Sequence, residues 1–254
     1  MTAGIFVALL VLTNNKENNF VIFAVFLVST KTGRRKMTEY KSIICFANSY
    51  RDSGRCFAGK DIKTGEWVRP ICSGDSHSIP RERQKLPDES YPKLLDVIKV
   101  PVGKKASLLD APYQTENWFL DERPWEKIGA YRYEDALKLV DEPESLWLCN
   151  KSLGTDEVHE DSFGEIKPPG SLLLLQLSGV MTRTPKLRAR FNHNGVDYDL
   201  AVTCPEAQMR YADRKVPTTN GALCCLSLAE PFVPYRRRSK FAYKLVAGMM
   251  FPMQ

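Results

Sequence analysis

The sequence holds no CxxC pair, no HExxH or HxH pattern and no Ser-His-acid order. Zinc ribbons, thioredoxin-type pairs, zincins and serine triads are therefore not expected. A glycine-rich phosphate loop is also missing, and the three histidines (His77, His159, His193) lie in separate polar stretches. The seven cysteines form an odd set without paired spacing, which argues against a disulfide framework and fits a reducing, cytoplasmic compartment. No apolar run reaches the roughly 20 residues that span a bilayer. No metal or cofactor is expected.

Charge of one sign is also scarce once it is located. The chain of 254 residues carries a net charge of +6, but residues 1–36 hold five bases and one acid. The remainder has 31 bases against 29 acids, so bulk basicity is a poor argument for a nucleic-acid partner and only local clusters can make it. At 43% hydrophobic and 26% charged, the chain reads as globular and long enough for one sizeable core or two small ones.

The first 36 residues carry two short apolar runs, 4–12 and 20–28, split by TNNKENN and followed by the basic KTGRRK. A secretory signal would place its bases before the apolar run. The leader is thus read as a start-site extension ahead of Met37, or as a hydrophobic hairpin lying on a membrane, or as a cleaved signal. Only in the membrane reading does a lipid partner enter.

From residue 41 the text becomes short strands with turn punctuation. Segments 42–47, 55–62 and 66–71 read as strands, the last two joined as a hairpin at Thr64-Gly65. A polar, proline-bearing stretch (72–91) with one weak helical segment follows, then strands at 94–102 and 117–120. The second half repeats that order. The run at 171–180 is too Leu-rich for its period to separate strand from helix, but a Pro-Pro-Gly preface favours a strand. Strands 187–191 and 196–202 meet at Asn194-Gly195, a strong hairpin signal. A short helix over 204–214 with Pro205 in its first turn precedes strands at 223–229 and 241–250.

Strand, hairpin, short helix, strand, strand is the order of the OB fold. The expected architecture is mainly β, with two tandem five-stranded OB-like barrels over 37–120 and 170–254 and a short helix in each. A packed, partly helical connector over 121–169 joins them, containing an amphipathic segment at 133–140 and the costly-to-expose Trp125, Trp147 and Leu148.

The segments ICFANS, GRCFAGKDIKTGEWVRPI, YQTENW, YDLAVT, CLSLAEPF and YKLVAGM resemble the dual OB-domain family over about residues 37–252. The resemblance implies a non-enzymatic, nucleic-acid or nucleotide-binding module of the bacterial cytoplasm. Such modules are regarded as accessory to an effector enzyme of a defence or modification system. It brings no catalytic residues. Cys204 departs from the acidic residue expected before Pro205 and puts the local helix cap in question.

OB barrels lay bases on aromatic faces while basic groups follow the backbone. Trp67 and Arg69 share a strand face and Lys60 lies across the hairpin from them, so the three suit a stacked base and a phosphate. Equally, Trp67 could fill the barrel and Arg69 pair with a carboxylate. Asn48, Ser49, Arg51 and Arg55 are placed in the loop between strands one and two, where OB proteins meet ligands, or are ordinary turn residues. Gln114, Glu116 and Asn117, beside Trp118, could read a base or cap a buried loop. Arg188 and Arg190 share one strand face, and YRRRSK (235–240) could clamp a backbone or simply be solvated. The rival from another class is a Cys56-dependent hydrolase of a modified nucleotide, with Arg55 lowering the thiol pKa and His77 as base. A protein-interaction scaffold is the third.

Overall fold

The computed structural model describes residues 7–14, 20–27 and 39–252, apart from 53, 75, 148–154, 167–169, 184 and 213–217; side chains are described from residue 39, with 183 and 218–220 as backbone only. The chain divides into two units, Met1–Met37 and Thr38–Gln254. In the first, β1 (Val7–Asn14) and β2 (Phe20–Leu27) pair antiparallel from Val7 opposite Leu27 to Asn14 opposite Phe20. Leu148 and Cys149 lie outside the described residues. Among the described residues no helix is long and apolar enough to cross a membrane.

The second unit contains two closed barrels. The first is built from β3 (Glu39–Arg51), β4 (Gly54–Asp61), β5 (Trp67–Ile71), β6 (Asp96–Lys105) and β7 (Asn117–Leu120). It runs β3-β4-β5-β7-β6 and closes through β3 on β6, with β5 and β7 parallel. The connector follows. Its β8 (Glu126–Ala130) adds to β6, α1 (Tyr133–Ala136) continues into a 3-10 turn at Leu137–Leu139, and β9 (Glu157–His159) later pairs with the last strand. The second barrel comprises β10 (Leu172–Arg183), β11 (Leu187–His193), β12 (Val196–Val202), α2 (Pro205–Arg210), β13 (Thr218–Leu228) and β14 (Phe241–Met250). Its strands order as β12-β11-β10-β13-β14 and close through a parallel β12–β14 pair. Both barrels thus share the expected OB order, with strands one and four paired antiparallel and strands three and five parallel. In the first barrel a 3-10 turn, Arg81–Gln84, stands where the helix was expected.

Local chemistry explains the turns and the helix start. Asn194 (φ 51) and Gly195 (φ 83) both take the left-handed backbone that a two-residue hairpin requires. Cys204 stands at the N-cap of α2 without a side-chain cap; its thiol is fully buried and hydrogen-bonds Glu206 instead. Burial pushes its pKa up to about 12, so the cysteine exchanges capping for core packing.

The leucine run is resolved by two-sided burial. Leu173, Leu175 and Leu177 fill the second barrel, whereas Leu172 and Leu174 face a separate cluster with Ile44, Phe46, Trp67, Val97, Leu223 and Cys225. Ile43 and Cys45 point the other way, into the first barrel with Phe57 and Trp125. Strands β3, β10 and β13 therefore bury both faces, one inside a barrel and one between barrels, which erases the period-two alternation. Each large apolar side chain so buried contributes about 1.5–3 kcal/mol. Where the barrels touch, the pairing shifts register at Phe46 in β3 and at Ala247 in β14. Gly248 lies so close that a Cβ there would stand 1.8 Å from the Phe46 carbonyl oxygen.

The connector is packed. Trp125 meets Phe57 edge to face at 4.8 Å in the first barrel, and Trp147 joins the second core while its Nε1 donates to the Gly170 carbonyl.

Candidate functional site

The hairpin trio is placed as expected, Lys60 opposite Trp67 and Arg69 two residues on, but its polar groups are turned inward. Trp67 is only 8% exposed, and its Nε1 donates to Asp141 at 3.2 Å. Lys60 Nζ donates to Asp141 at 2.6 Å and to the Leu139 carbonyl at 2.7 Å. Asp141 also accepts from the Leu174 amide, so one connector carboxylate ties the first barrel to the second. Arg69 is 1% exposed; it pairs with Glu116 at 3.1 Å and donates to Ser171 and Ser227 across the barrel boundary. The trio therefore forms an inter-barrel joint, with Arg69 paired to a carboxylate as the alternative reading had it, while Lys60 and Trp67 also line a cleft of about 330 Å³ with Trp118 and Asp141. Breaking one buried pair of this kind costs about 3–5 kcal/mol.

The segment YQTENW contributes to the same joint. Gln114 donates to the Leu228 carbonyl and accepts from Asn117, which is fully buried; Glu116 holds Ser171. Trp118 is partly buried beneath Lys41, 4.8 Å from its ring centroid. Arg188 and Arg190 do share a face, but both grip Asp199, at 2.6 and 2.8 Å, and Arg188 also holds Asp156. The residues expected in a loop prove to be on strands: Asn48, Ser49 and Arg51 end β3 and Arg55 begins β4. Asn48 is buried and donates to the Pro92 carbonyl.

Of the expected site residues, Ser49, Arg51, Arg69 and Gln114 converge on a cleft of about 350 Å³ between the barrels. Its walls are the β3–β4 turn of the first barrel and the β13–β14 connection of the second, the two OB loop positions where ligands are commonly met. Tyr50, Arg51 and Arg69 line it from one side, and Ser227, Glu230 and Phe232 from the other. Arg51 binds Glu230 through both Nη atoms, at 2.8 and 3.1 Å, and His77 Nδ1 lies 2.9 Å from the same carboxylate. Burial works against charge on Glu230, but the hydrogen bond and charge of Arg51, then those of His77, outweigh it and hold the carboxyl below its usual range.

The two loops that wall the cleft carry aromatic and basic side chains. Tyr50 is 53% and Phe232 54% exposed, and the Arg55 guanidinium stacks 4.0 Å from the Tyr50 ring. Phe232 stacks on Tyr243, which braces it from behind. Tyr235, 87% exposed, carries Arg236 against its ring. Arg237 and Lys240 pair with Glu157 and Asp110, whereas Arg236 and Arg238 form no ion pair among the described residues. Two non-glycine residues at this cleft take left-handed backbone: Asp52 (φ 46), which lines it, and His77 (φ 51), which holds Glu230. Such strain costs about 1–3 kcal/mol each and gathers at functional sites.

Sequence reasoning passed over Tyr50, Phe232 and Glu230, and named Tyr235 only within the basic run 235–240. The available signal was an aromatic set directly beside arginines in both loops, SYRDSGR and PFVPYRRR.

Cys56 lines the same cleft. Its proposed base, His77, is instead engaged with Glu230, and no hydrogen bond joins the two among the described residues. No group of three or more metal-ligating side chains occurs among the described residues. The family model described as a dual OB-containing domain matches residues 41–249. No curated protein and no solved structure matches the chain.

Proposed function

Since the chain belongs to the dual OB-containing domain family, we propose that it binds single-stranded nucleic acid across the inter-barrel cleft and catalyses no reaction on it. The observation that carries this reading is the pair of exposed rings lining the cleft, Tyr50 and Phe232, with the Arg55 guanidinium stacked on the first and the exposed residues 235–238, Tyr-Arg-Arg-Arg, following the second in the same connection. Aromatic faces offer stacking to any base and guanidiniums offer contacts to phosphates, the pairing that single-strand binders use. A duplex keeps its bases stacked inside and gains nothing from the rings. On this reading the protein serves a separate enzyme in the bacterial cytoplasm; its six described cysteines, all unpaired, support a reducing compartment.

The test is fluorescence anisotropy of the full chain with labelled single-stranded DNA, single-stranded RNA and duplex over a range of salt. Single strands should bind with log K falling linearly in log salt, by about 0.7 per phosphate neutralised. Tyr50→Ala and Phe232→Ala, both at exposed positions, should each weaken binding by about 1–3 kcal/mol. Equal binding of duplex, or affinity indifferent to both substitutions, would refute the assignment. Turnover of a modified nucleotide that disappears in Cys56→Ala would replace it with the hydrolase.

A further inference from the structure

Beside the rings of Tyr50 and Phe232, the cleft presents charges of both signs: Arg51 and Arg69 on one side, Glu230 on the other. A phosphate placed there would meet a carboxylate, and would find Arg51 already neutralised by that same carboxylate through two hydrogen bonds. A neutral ligand carrying both donors and acceptors meets no such conflict. At about 350 Å³ the space lies near the small end of ligand pockets, suited to a single ring system rather than a run of nucleotides.

We infer that this cleft takes one guanine base turned out of a bound strand, an inference that rests on the single-strand reading above. A guanidinium only donates and a carboxylate only accepts. Guanine sets two acceptors, O6 and N7, side by side on one edge, which arginine reads best among the bases. Its adjoining edge carries two kinds of donor, N1–H and the N2 amino group, which suit a carboxylate. Adenine instead puts an amino group beside N7, where it would confront the guanidinium.

The bonding around the cleft leaves room for this. A carboxylate has about four acceptor sites. Arg51 takes one on each oxygen of Glu230 and His77 takes a second on Oε2, which leaves a site on Oε1. Arg69 is buried and lines the cleft, and its Nε has no hydrogen-bond partner among the described residues. Gln114 also lines the cleft, where its Nε2 donates to the Leu228 carbonyl and its Oε1 accepts from Asn117.

The experiment uses the full chain and labelled oligothymidylate strands with one central guanine, adenine, cytosine or 7-deazaguanine, with guanosine 5′-monophosphate as competitor. The strand with guanine should bind about tenfold tighter than those with adenine or cytosine. Replacing N7 by carbon should remove most of that gain, and Glu230→Gln should weaken the guanine strand about tenfold more than it weakens the strands with adenine or cytosine. The 7-deazaguanine arm leaves the protein unaltered, so it decides the matter even where Glu230→Gln disturbs folding. Equal affinity for all strands overturns the guanine pocket and leaves strand binding standing. Binding of guanosine 5′-monophosphate without any strand keeps the pocket and overturns the strand reading. Binding of neither overturns both.

Discussion

Glu230 shows how one side chain can serve both cohesion and recognition. It sits on the second barrel and is gripped by Arg51 and His77 of the first, so its ionisation is linked to folding. Its folded pKa is depressed; the stability it contributes is therefore fully present above its ordinary value of 4.5 and is lost as pH falls through the folded value. Urea midpoints of wild type and Glu230→Gln should differ at pH 7 and converge as pH drops below 4.5. A difference that persists unchanged at low pH would mean the carboxylate is not held by this charge. Arg69 and Arg190 make a second comparison. Arg69→Ala leaves Glu116 buried and unpaired and should cost about 3–5 kcal/mol. Arg190→Ala, at an exposed pair, should cost less than about 1 kcal/mol by the same denaturation measurement. Nothing in the sequence separates these two arginines, because the hydroxyl partners of Arg69, Ser171 and Ser227, lie 102 and 158 residues away. Local pattern reports strand faces, and it does not report what folds over them.

Elements with a local cause were legible. Both mid-barrel hairpins follow from their turn residues, and β12 and β14 begin and end where period-two alternation or apolar density does. The strand β8 was not legible, because all five of its residues are exposed and it carries no hydrophobic signal. Its place is set by backbone pairing to β6. The contact of β14 with β3 is likewise invisible in sequence, yet it imposes a sharp constraint. In Gly248→Ala the new methyl would collide with the Phe46 carbonyl, a backbone atom that cannot swing aside. Loss of about 2 kcal/mol or more is expected in urea unfolding. By contrast, Gly65→Ala meets open space and pays only for its positive φ, about 1 kcal/mol. Equal costs at the two sites would show that the barrels do not approach so closely.

Across the whole molecule, two barrels that look separable along the chain share a dry face. Ile44, Phe46 and Trp67 from one meet Leu172, Leu174 and Leu223 from the other, and the connector's Tyr133 and Ala136 cap the same cluster. Unfolding in urea should accordingly be a single transition seen alike by tryptophan fluorescence and by circular dichroism. Two resolved transitions would make the barrels energetically independent. The fold class and the barrel order were readable from sequence, because each barrel repeats one set of turn and strand signals. The cleft was not, because it belongs to neither barrel alone.

The shared face also sets an order of events during synthesis. Domains generally fold as they emerge, amino-terminal part first. Here the first barrel can close early, since all its strands precede the connector, but Phe46 and Trp67 then stay uncovered. Their partners Ala247 and Met250, with Gly248 between them, lie on β14, the last strand to be made. The nascent chain therefore carries an adhesive apolar patch that Tyr133, Ala136, Leu172 and Leu174 can cover only in part before β14 completes it, and a chaperone that shields that patch until β14 arrives would raise the yield of native protein.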